Sequence, residues 1–424
     1  MDAYEIGKSA FQRGDFQVAW KSLEKAEDDG RALLLRAQMA SNGDGRDEDP
    51  FLAARLYREA AERGSARAAY NLGVLHATGR GVEVDEGAAF SWYQRSAELG
   101  DADGFRMVGL MHATGQGGGP PDFDEAEKAW RTAAELGQRE VFSDLGKLFA
   151  YHRQDPVQAA DWYLKAAGVG DESAIGELLR LCPVLKAQAD SGNTRARTLL
   201  GVIFMLYVDA PEETVAFLSQ SSSEGDAVAQ RTLAYLLERG QGVAVDKERA
   251  VRLYRVAAEG GDGIAAFNLG LHYTSGEVLE VDIPSAVHWL RVAAVAKIAD
   301  AYPLLGNHLA SLDLDEEALK WYLVGAEEGQ ASCMFVAASW YRDGIGTSVD
   351  LVQSLRWFIA MLDVGSGDGV HEAHQLVPRM TPEEVREAAR LANRPLDADI
   401  FLAQRAQPSD GSEAGKAAPG SAES

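Results

Sequence analysis

Apolar positions recur along the chain with the spacing of an α-helix, and a glycine-containing turn follows each helical stretch. The stretch AAYNLGVLHATG, residues 68–79, places apolar residues at helical spacing around a small residue in mid-helix. A GxGV turn and an aspartate come next, followed by a second apolar stretch such as AFSWYQRSAELG. This pattern predicts helix pairs in which Asp85, Asp246, Asp282 and Asp350 cap the second helix.

The glycine that closes each helix pair recurs at a nearly constant interval. These positions are Gly30, Gly64, Gly100, Gly137, Gly170, Gly192, Gly225, Gly261, Gly329 and Gly365, with Lys297 in one expected position. The successive intervals are 34, 36, 37, 33, 22, 33, 36, 36, 32 and 36 residues. A period in this range predicts a helical repeat array, in which each unit packs on its neighbours. A chain of 424 residues therefore need not divide into separate globular domains.

Two further features recur inside each pair. The first helix has a small residue near its middle, which is Gly73, Gly109, Gly146, Gly201, Gly270 or Gly306. Because a mid-helix glycine costs about 1 kcal/mol relative to alanine, its recurrence indicates a neighbouring helix too close for a side chain. Six tryptophans lie at or within one residue of one position in the second helix: Trp92, Trp130, Trp162, Trp289, Trp321 and Trp357. We interpret them as core between repeats.

The combined phrase LGVLHATGRGVEVDEGAAFSWYQRSAELG resembles the Sel-one-like repeat (SLR) family of the tetratricopeptide (TPR) superfamily. The matching residues are Leu72-Gly73, Gly79, Gly81-Val82, Asp85, Trp92-Tyr93 and Ala97-Glu98-Gly100. The resemblance covers about residues 31–367. It implies an all-α fold, an α/α superhelical solenoid of about ten to eleven helix-turn-helix repeats. In this family the first helices line a concave surface that serves as a scaffold for protein complexes.

Departures from the repeat suggest how the chain is organised. We expect a TPR-like cap repeat at 1–30, SLR blocks at 31–170 and 194–367, a truncated repeat or junction at 171–193, a capping helical segment at 368–405 and a disordered tail at 406–424. In the truncated repeat, Pro183 is expected to separate two short helices. In the capping segment, Thr381, Pro382 and Glu384 predict a capping box. The sequence GQGGGPPDFD, residues 115–124, predicts a protruding loop.

Composition narrows the classes of partner. The net charge of −24 and the pI of about 4.7 disfavour nucleic acid as a partner. Acidity either steers a basic partner or keeps a large exposed array soluble, and the sequence leaves both interpretations open. Cys182 and Cys333 form no disulfide framework or metal-ligand spacing. The longest apolar run, residues 199–208, is too short for a bilayer span, and with no visible signal peptide we expect a cytoplasmic protein.

No arrangement of residues predicts an enzyme, a cofactor or a metal site. His371 and His374 form an H-x-x-H that lacks a third ligand. Ser22 and Lys25 form an S-x-x-K without the accompanying motifs of penicillin-recognising enzymes. A β-lactamase-like or other enzyme is therefore only the third interpretation. A small-molecule ligand is not expected.

The remaining candidates for function are surface residues of the first helices. We predict a partner-binding site on the concave face that contains Tyr70, Arg106, Lys147, His272, Asn307 and His308. A binding site of this kind predicts that the protein is a non-catalytic scaffold or adaptor for one or more proteins or peptides. The alternative is a dedicated inhibitor, such as an immunity protein that sequesters a basic toxic effector. The residues do not distinguish the two hypotheses.

Overall fold

The computed structural model describes residues 3–395 and 397–405, and every regular element in these ranges is a helix. The helices fall into two compact units, the first ending at Val281 and the second beginning at Asp282. The tail predicted to be disordered, residues 406–424, lies outside the described residues. None of the described helices has the length and apolar character that a bilayer span requires.

In the described part of the first unit, sixteen α-helices pack mainly on their neighbours in the sequence. They are α1 (Ala3–Gln12), α2 (Phe16–Glu24), α3 (Gly30–Asn42), α4 (Pro50–Glu62), α5 (Ala66–Thr78), α6 (Glu86–Glu98), α7 (Ala102–Thr114), α8 (Phe123–Glu135), α9 (Val141–Lys147), α10 (Pro156–Gly168), α11 (Glu172–Asp190), α12 (Thr194–Tyr207), α13 (Pro211–Ser223), α14 (Ala227–Arg239), α15 (Lys247–Glu259) and α16 (Gly263–Ser275). A π-helical turn, Leu148–His152, extends α9.

The second unit continues with the same kind of helix and ends in shorter ones. Its helices are α17 (Ile283–Val295), α18 (Ala301–Ser311), α19 (Asp315–Glu327), α20 (Ala331–Asp343), α21 (Leu351–Ala360), α22 (Asp368–Leu376), α23 (Pro382–Leu391) and α24 (Asp397–Arg405). Two 3-10 turns, Met361–Val364 and Val377–Arg379, lie between them. Successive helix pairs along the two units confirm the predicted all-α repeat fold.

The small residue of the first helix is required by an aromatic or leucine side chain of the second. A Cβ on Gly73 would lie 2.7 Å from the Tyr93 ring, and one on Gly146 would lie 2.5 Å from the Tyr163 ring. Gly109, Gly201 and Gly306 have the same kind of neighbour. A Cβ on each would meet the side chain of Trp130, Leu218 and Tyr322, respectively. The predicted close approach of helices is therefore confirmed. In the WY pairs, however, the tyrosine fills this place, while the preceding tryptophan is buried or half-buried.

The two glycines of the GxG turn have different structural roles. Gly79 ends α5 in the left-handed conformation, with φ 72° and a backbone N–H donated to the Leu75 carbonyl. Gly81, also at positive φ, presses its backbone against the carbonyl of Pro50 at the start of the preceding repeat's second helix. Gly242 contacts Pro211 in the same way. The GxG phrase is therefore a helix end followed by a contact between repeats.

The predicted helix caps are confirmed. Each of Asp85, Asp246, Asp282 and Asp350 accepts a hydrogen bond from a backbone N–H in the first turn of its helix. The capping box is also present: Thr381 caps α23 and the side chain of Glu384 accepts from the Thr381 N–H. Helix α23 packs against α21, the last second helix of the repeats.

The expectation that Pro183 separates two short helices is wrong. Helix α11 runs without interruption from Glu172 to Asp190, with Pro183 inside it. Its buried residues Ala174, Leu178, Leu185 and Ala189 follow one helical stripe. Leu178 and Leu185 are fully buried, and each contributes about 1.5–3 kcal/mol, which together offsets the roughly 3 kcal/mol cost of an interior proline. The division into sequence blocks around 171–193 stays a prediction.

The expanded turn between α7 and α8 is exposed at its tip. Residues 118–121 are exposed, and no atom of the described residues lies within 4 Å of a Cβ built on Gly118 or Gly119. The base of the loop is anchored, because Gly117 lies against the Phe90 ring of α6 and Asp122 caps α8. The loop thus has a fixed base and an exposed glycine-proline tip.

Candidate functional site

Counting from the small residue of each first helix identifies which side chains share a face. Residues six and three before it, and one after it, follow the i, i+3, i+7 spacing of one helix side. In α5, α7 and α9, with the residue that precedes α9, these are Arg67, Tyr70, Val74, Asp103, Arg106, Leu110, Glu140, Ser143 and Lys147. We call these nine residues the first-helix face. None of them is buried.

Ion pairs link the first-helix face from one repeat to the next. The Arg67 guanidinium pairs with Asp103 of the following repeat. Arg106 Nη1 lies 2.5 Å from Glu140 Oε2, and Arg106 Nε lies 4.0 Å from Asp144 Oδ2. These exposed or half-exposed pairs contribute little to stability, on the order of 0.2–1 kcal/mol each. Their main effect is to hold a row of alternating charges in place.

Asp144 is a half-buried carboxylate beside this row. Burial raises its pKa, while Arg106 and Lys147 oppose that rise by favouring the carboxylate. Arg106 was predicted as a positive charge open to a partner, and the structure shows that two carboxylates already share it. Lys147 lies about one turn after Asp144 in α9 and is exposed.

Tyr70 occupies the middle of the same row. Its ring packs at a tilt against Tyr93, with centroids 5.7 Å apart, and the Arg67 guanidinium carbon lies 4.9 Å from its centre. Burial raises the pKa of the Tyr70 hydroxyl. Tyr70 is half-buried. Tyr70, Arg106 and Lys147 are the predicted residues that the structure brings together.

His272 does not belong to an exposed face. Its residue is 5 % exposed, and its Nε2 lies 3.3 Å from Glu238 Oε1. The Tyr254 hydroxyl donates to the other Glu238 oxygen at 3.3 Å. Burial lowers the pKa of His272, although Glu238 acts in the opposite direction. His272 of α16 therefore packs against α14 and α15. This corrects the prediction that His272 is a surface residue of the partner-binding site.

Asn307 and His308 lie in the second unit. Asn307 is exposed and its Oδ1 accepts a hydrogen bond of 2.7 Å from the Tyr322 hydroxyl. His308 is half-buried, and burial lowers its pKa. Asn307 therefore occupies a surface position of α18, whereas His308 is partly withdrawn from solvent.

Sequence reasoning missed the acidic half of the first-helix face. Asp103 occupies the register position in α7 that Arg67 occupies in α5, and Glu140 occupies it at the start of α9. Comparing one register position across consecutive repeats would have shown Arg, Asp and Glu in succession. Opposite charges at equivalent positions of adjacent repeats are the signal that predicts such pairs.

Helix pairs with a glycine contact, a double-glycine turn and an aspartate cap define the protein as a helical-repeat protein. The Sel1 repeat model matches residues 30–65, 66–101, 106–138, 145–171, 227–262, 263–294, 313–330 and 331–365. These segments make up more than half of the chain, and the protein belongs to the Sel1 repeat family. The resemblance found in the sequence is thereby confirmed.

Solved structures with similarity to the chain include other proteins of this kind. A protective antigen of uropathogenic Escherichia coli with an SLR fold is 25 % identical, covering 98 % of this chain and 96 % of its own, at a TM-score of 0.43. A Sel1 repeat protein from Oxalobacter formigenes is 22 % identical over 69 % of this chain and 97 % of its own, at 0.34. An immunity protein from Pseudomonas aeruginosa is 21 % identical over 63 % and 81 %, at 0.23. No curated protein matches the sequence.

Proposed function

We propose that the protein is a non-catalytic interaction adaptor that binds a partner protein on its first-helix face. The observation that carries this proposal is the row of charged, aromatic and aliphatic side chains on three consecutive helices. Tyr70 and Leu110 offer apolar surface beside Arg67, Arg106 and Lys147. Such a mixture is typical of recognition surfaces, where aromatic residues and arginines contribute most of the binding energy.

The sign of charge on the first helices favours a partner with acidic groups. In α3, α5, α7, α9, α12, α14 and α16 the basic residues are Arg31, Arg36, Arg67, Arg106, Lys147, Arg195, Arg197, Arg231 and Arg239, and the acidic residues are Asp103, Asp144 and Glu238. The whole chain has a net charge of −24. Carboxylates outside these helix segments already pair with six of the nine cations, which are Arg31, Arg36, Arg106, Arg195, Arg197 and Arg231. The exposed Lys147 is therefore the cation of the first-helix face that favours a carboxylate of the partner. A partner that presents carboxylates between apolar side chains suits this surface.

A second candidate function is a dedicated inhibitor of a basic effector. It is favoured by the turn before α19, where Leu314 is 46 % exposed next to Asp313, Asp315, Glu316 and Glu317. These residues, together with Lys320 and Gly346, line a pocket of about 550 Å³ in the second unit, and Arg291 already pairs with Glu317. An apolar side chain among carboxylates suits a basic partner with an apolar anchor. An inhibitor of this kind should bind one protein tightly, whereas an adaptor should bind several proteins more weakly.

The test is affinity purification of the tagged protein from its own cells, with cross-linking, at low and high salt. The wild type is compared with the double variant Arg106→Glu, Lys147→Glu. We expect the double variant to lose about tenfold or more of the captured partner, because two attractive charges become repulsive. A matched control, Lys128→Glu with Arg252→Glu, makes the same charge change on exposed second-helix residues.

Each outcome has a definite meaning. Loss of the partner in the face variant but not in the control supports binding at the first-helix face. Equal capture by both variants contradicts it. Several salt-sensitive partners support the adaptor, while one stoichiometric partner that survives high salt supports the inhibitor. Circular dichroism of each variant separates loss of binding from loss of folding.

A further inference from the structure

The turn between α12 and α13 departs from the turns of the regular repeats. It has three residues, 208–210, whereas the turn between α5 and α6 has seven, residues 79–85. The longer turn contributes Val82 to the packed core of its repeat, and the short turn has no GxGV phrase that could contribute such a residue. The short turn lies within residues 172–226, which the Sel1 repeat model does not match. Its surroundings are therefore a feature of this chain rather than of the repeat.

A pocket of about 190 Å³ lies beside the short turn, between α12, the start of α13 and the end of α14. Most of its lining is apolar and comes from Phe204, Met205, Val208, Ala210, Pro211 and Leu236. The Thr214 hydroxyl also lines the pocket but already donates a hydrogen bond of 2.9 Å to the Ala210 carbonyl. Since an apolar cavity of about 150 Å³ can hold a benzene molecule, the pocket has room for one six-membered ring.

Two lining side chains favour an aromatic ring over an aliphatic group. The Phe204 ring meets the Phe217 ring edge to face, with centroids 5.6 Å apart, so a ring in the pocket would extend an existing aromatic cluster. Met205 is half-buried, and its thioether sulfur is a favourable neighbour for an aromatic ring. The flexible methionine side chain can also adapt to the shape of the ring that enters.

Carboxylates surround the short turn. Asp209 lines the pocket, and Glu212 and Glu213 follow in the first turn of α13; all three residues are exposed. Among the described residues, none of these three carboxylates takes part in a salt bridge. The sequence from 198 to 230 contains no lysine or arginine. A positive group at the mouth of the pocket is therefore attracted, and an anion is repelled.

The α14 side of the pocket does not offset this charge. Gln241 is the lining residue there that has a polar side chain, and it is neutral and exposed. Arg239 does not line the pocket, and its guanidinium carbon lies 4.8 Å from the centre of the Tyr235 ring. The pocket thus combines an apolar interior with an acidic mouth.

From this combination we propose that the pocket binds a small aromatic amine in its protonated form. The ring occupies the interior beside Phe204 and Met205, and the ammonium group lies at the mouth near Asp209. The site is separate from the nine residues of the first-helix face, so this binding function is additional to the proposed adaptor role. No small-molecule ligand was expected from the sequence, because the pocket depends on how α12, α13 and α14 pack around the short turn.

The experiment is isothermal titration calorimetry of the full-length chain with 2-phenylethylamine at neutral pH and about 0.1 M salt, where charges more than about 10 Å apart are screened. Two analogues of similar shape are the controls: 2-phenylethanol is neutral, and 3-phenylpropanoate is an anion. We expect a Kd on the order of 0.1 mM for the amine. The alcohol should bind about fivefold more weakly, because it lacks the attraction to the carboxylates, and the anion should not saturate the protein.

Variants of the protein locate the ligand. Asp209→Asn should weaken binding of the amine about threefold to fivefold and leave the alcohol unchanged, because only the charged ligand loses an attraction. Its matched control is Asp47→Asn, which neutralises an exposed turn aspartate of the same unit and should bind both ligands as wild type does. Ala210→Leu places a larger side chain in the pocket and should abolish binding of both ligands.

Each outcome decides the proposal. Amine binding that Ala210→Leu abolishes and Asp209→Asn weakens supports it. No saturable binding of the amine up to about 5 mM overturns it, as does equal affinity for the amine and the alcohol. Amine binding that persists in an Ala210→Leu variant with the wild-type circular dichroism spectrum also overturns it.

Asp209→Asn decides the case in which Ala210→Leu fails to fold. A ratio of amine to alcohol affinity that falls towards one in Asp209→Asn, but not in Asp47→Asn, supports the pocket as the site. A ratio that stays at the wild-type value overturns the proposal. None of these results bears on the first-helix face, whose test depends on Arg106 and Lys147.

Discussion

The α7–α9 part of the first-helix face and the cluster between α14, α15 and α16 both place an ionisable side chain on a first helix next to a glutamate. Arg106 is half-buried and shares its charge with Glu140 and Asp144. His272 is buried beside Glu238, and burial lowers its pKa. The Arg106 guanidinium is available to a partner at its edge, whereas the His272 imidazole is part of the core.

Register explains the difference. Arg106 lies three residues before its small residue, Gly109, whereas His272 lies two residues after Gly270. In α5, α7, α9, α12 and α14, where the small residue of α14 is Ala234, the residue two positions later is buried: Leu75, Met111, Leu148, Ile203 and Leu236. A side chain at that position lies in the core, whether it is polar or apolar. The repeat, rather than the residue type, decides whether a side chain meets solvent.

The largest expected effect tests whether the small residue fixes this register. A Cβ on Gly109 would lie 2.5 Å from Cδ1 and Nε1 of Trp130, and the Trp130 ring is held by a 3.1 Å hydrogen bond from Nε1 to the Arg106 carbonyl. Because the ring cannot move without breaking that bond, Gly109→Ala should destabilise the fold by about 1–3 kcal/mol in spite of alanine's higher helix propensity. Urea unfolding followed by circular dichroism measures the change.

Gly176→Ala in α11 is the matched control, since within the part of the chain that the structure describes no atom lies within 4 Å of a Cβ built there. With no clash, only helix propensity remains, and the variant should gain about 0.5–1 kcal/mol. Destabilisation of similar size in both variants would contradict the role assigned to Gly109 in fixing the distance between α7 and α8.

The second prediction concerns the buried histidine. The folded pKa of His272 is lowered from its ordinary value of 6.5, so the unfolded chain binds its proton more readily. The stability associated with neutral His272 is complete above pH 6.5 and is lost as the pH falls through the lowered pKa, at up to about 1.4 kcal/mol per pH unit. Between pH 7.5 and pH 5, the His272→Leu variant should therefore lose less stability than the wild type.

Unfolding midpoints in urea at pH 7.5, 6.5, 5.5 and 5.0 measure this effect. Leucine suits the position because its counterparts are Leu75 and Leu236, so we expect the variant to stay within about 1 kcal/mol of wild type at pH 7.5. His152→Leu, which removes an exposed histidine of the same unit, is the comparison variant. A parallel pH profile for wild type and His272→Leu would rule out His272 as a contributor.

Much of the fold was predictable because its determinants repeat. The caps at Asp85 and Asp350, the end of α5 at Gly79 and the close packing at Gly73 each have several equivalents, and a recurring residue indicates a recurring physical need. Helix α11 was not predicted, because Pro183 is a strong local signal for a break. The stripe that contains Leu178 and Leu185 outweighs it, and that depends on tertiary packing.

The candidate site was predictable only in part. Helical spacing placed Tyr70, Arg106 and Lys147 on one face. The partners of these residues depend on side-chain conformation across repeats, as in the pair between Arg106 and Glu140, which are 34 positions apart. His272 shows that a polar residue type is a poorer guide to exposure than its register position, since histidine is tolerated in the core when a neighbour such as Glu238 pairs with it.

The smallest expected effect belongs to the pair of Arg106 and Glu140, and it separates a recognition surface from a stabilising one. The side chains are 33 % and 64 % exposed, so water screens their attraction. A double-mutant cycle of Arg106→Ala and Glu140→Ala should give a coupling energy of about 0.2–1 kcal/mol, which falls as salt is raised from 0.05 to roughly 0.5 M. A coupling well above that range, unaffected by salt, would mean that the row of charges holds the repeats together. A small, salt-sensitive coupling leaves Arg106 free to exchange Glu140 for a carboxylate of a partner, which the adaptor hypothesis requires.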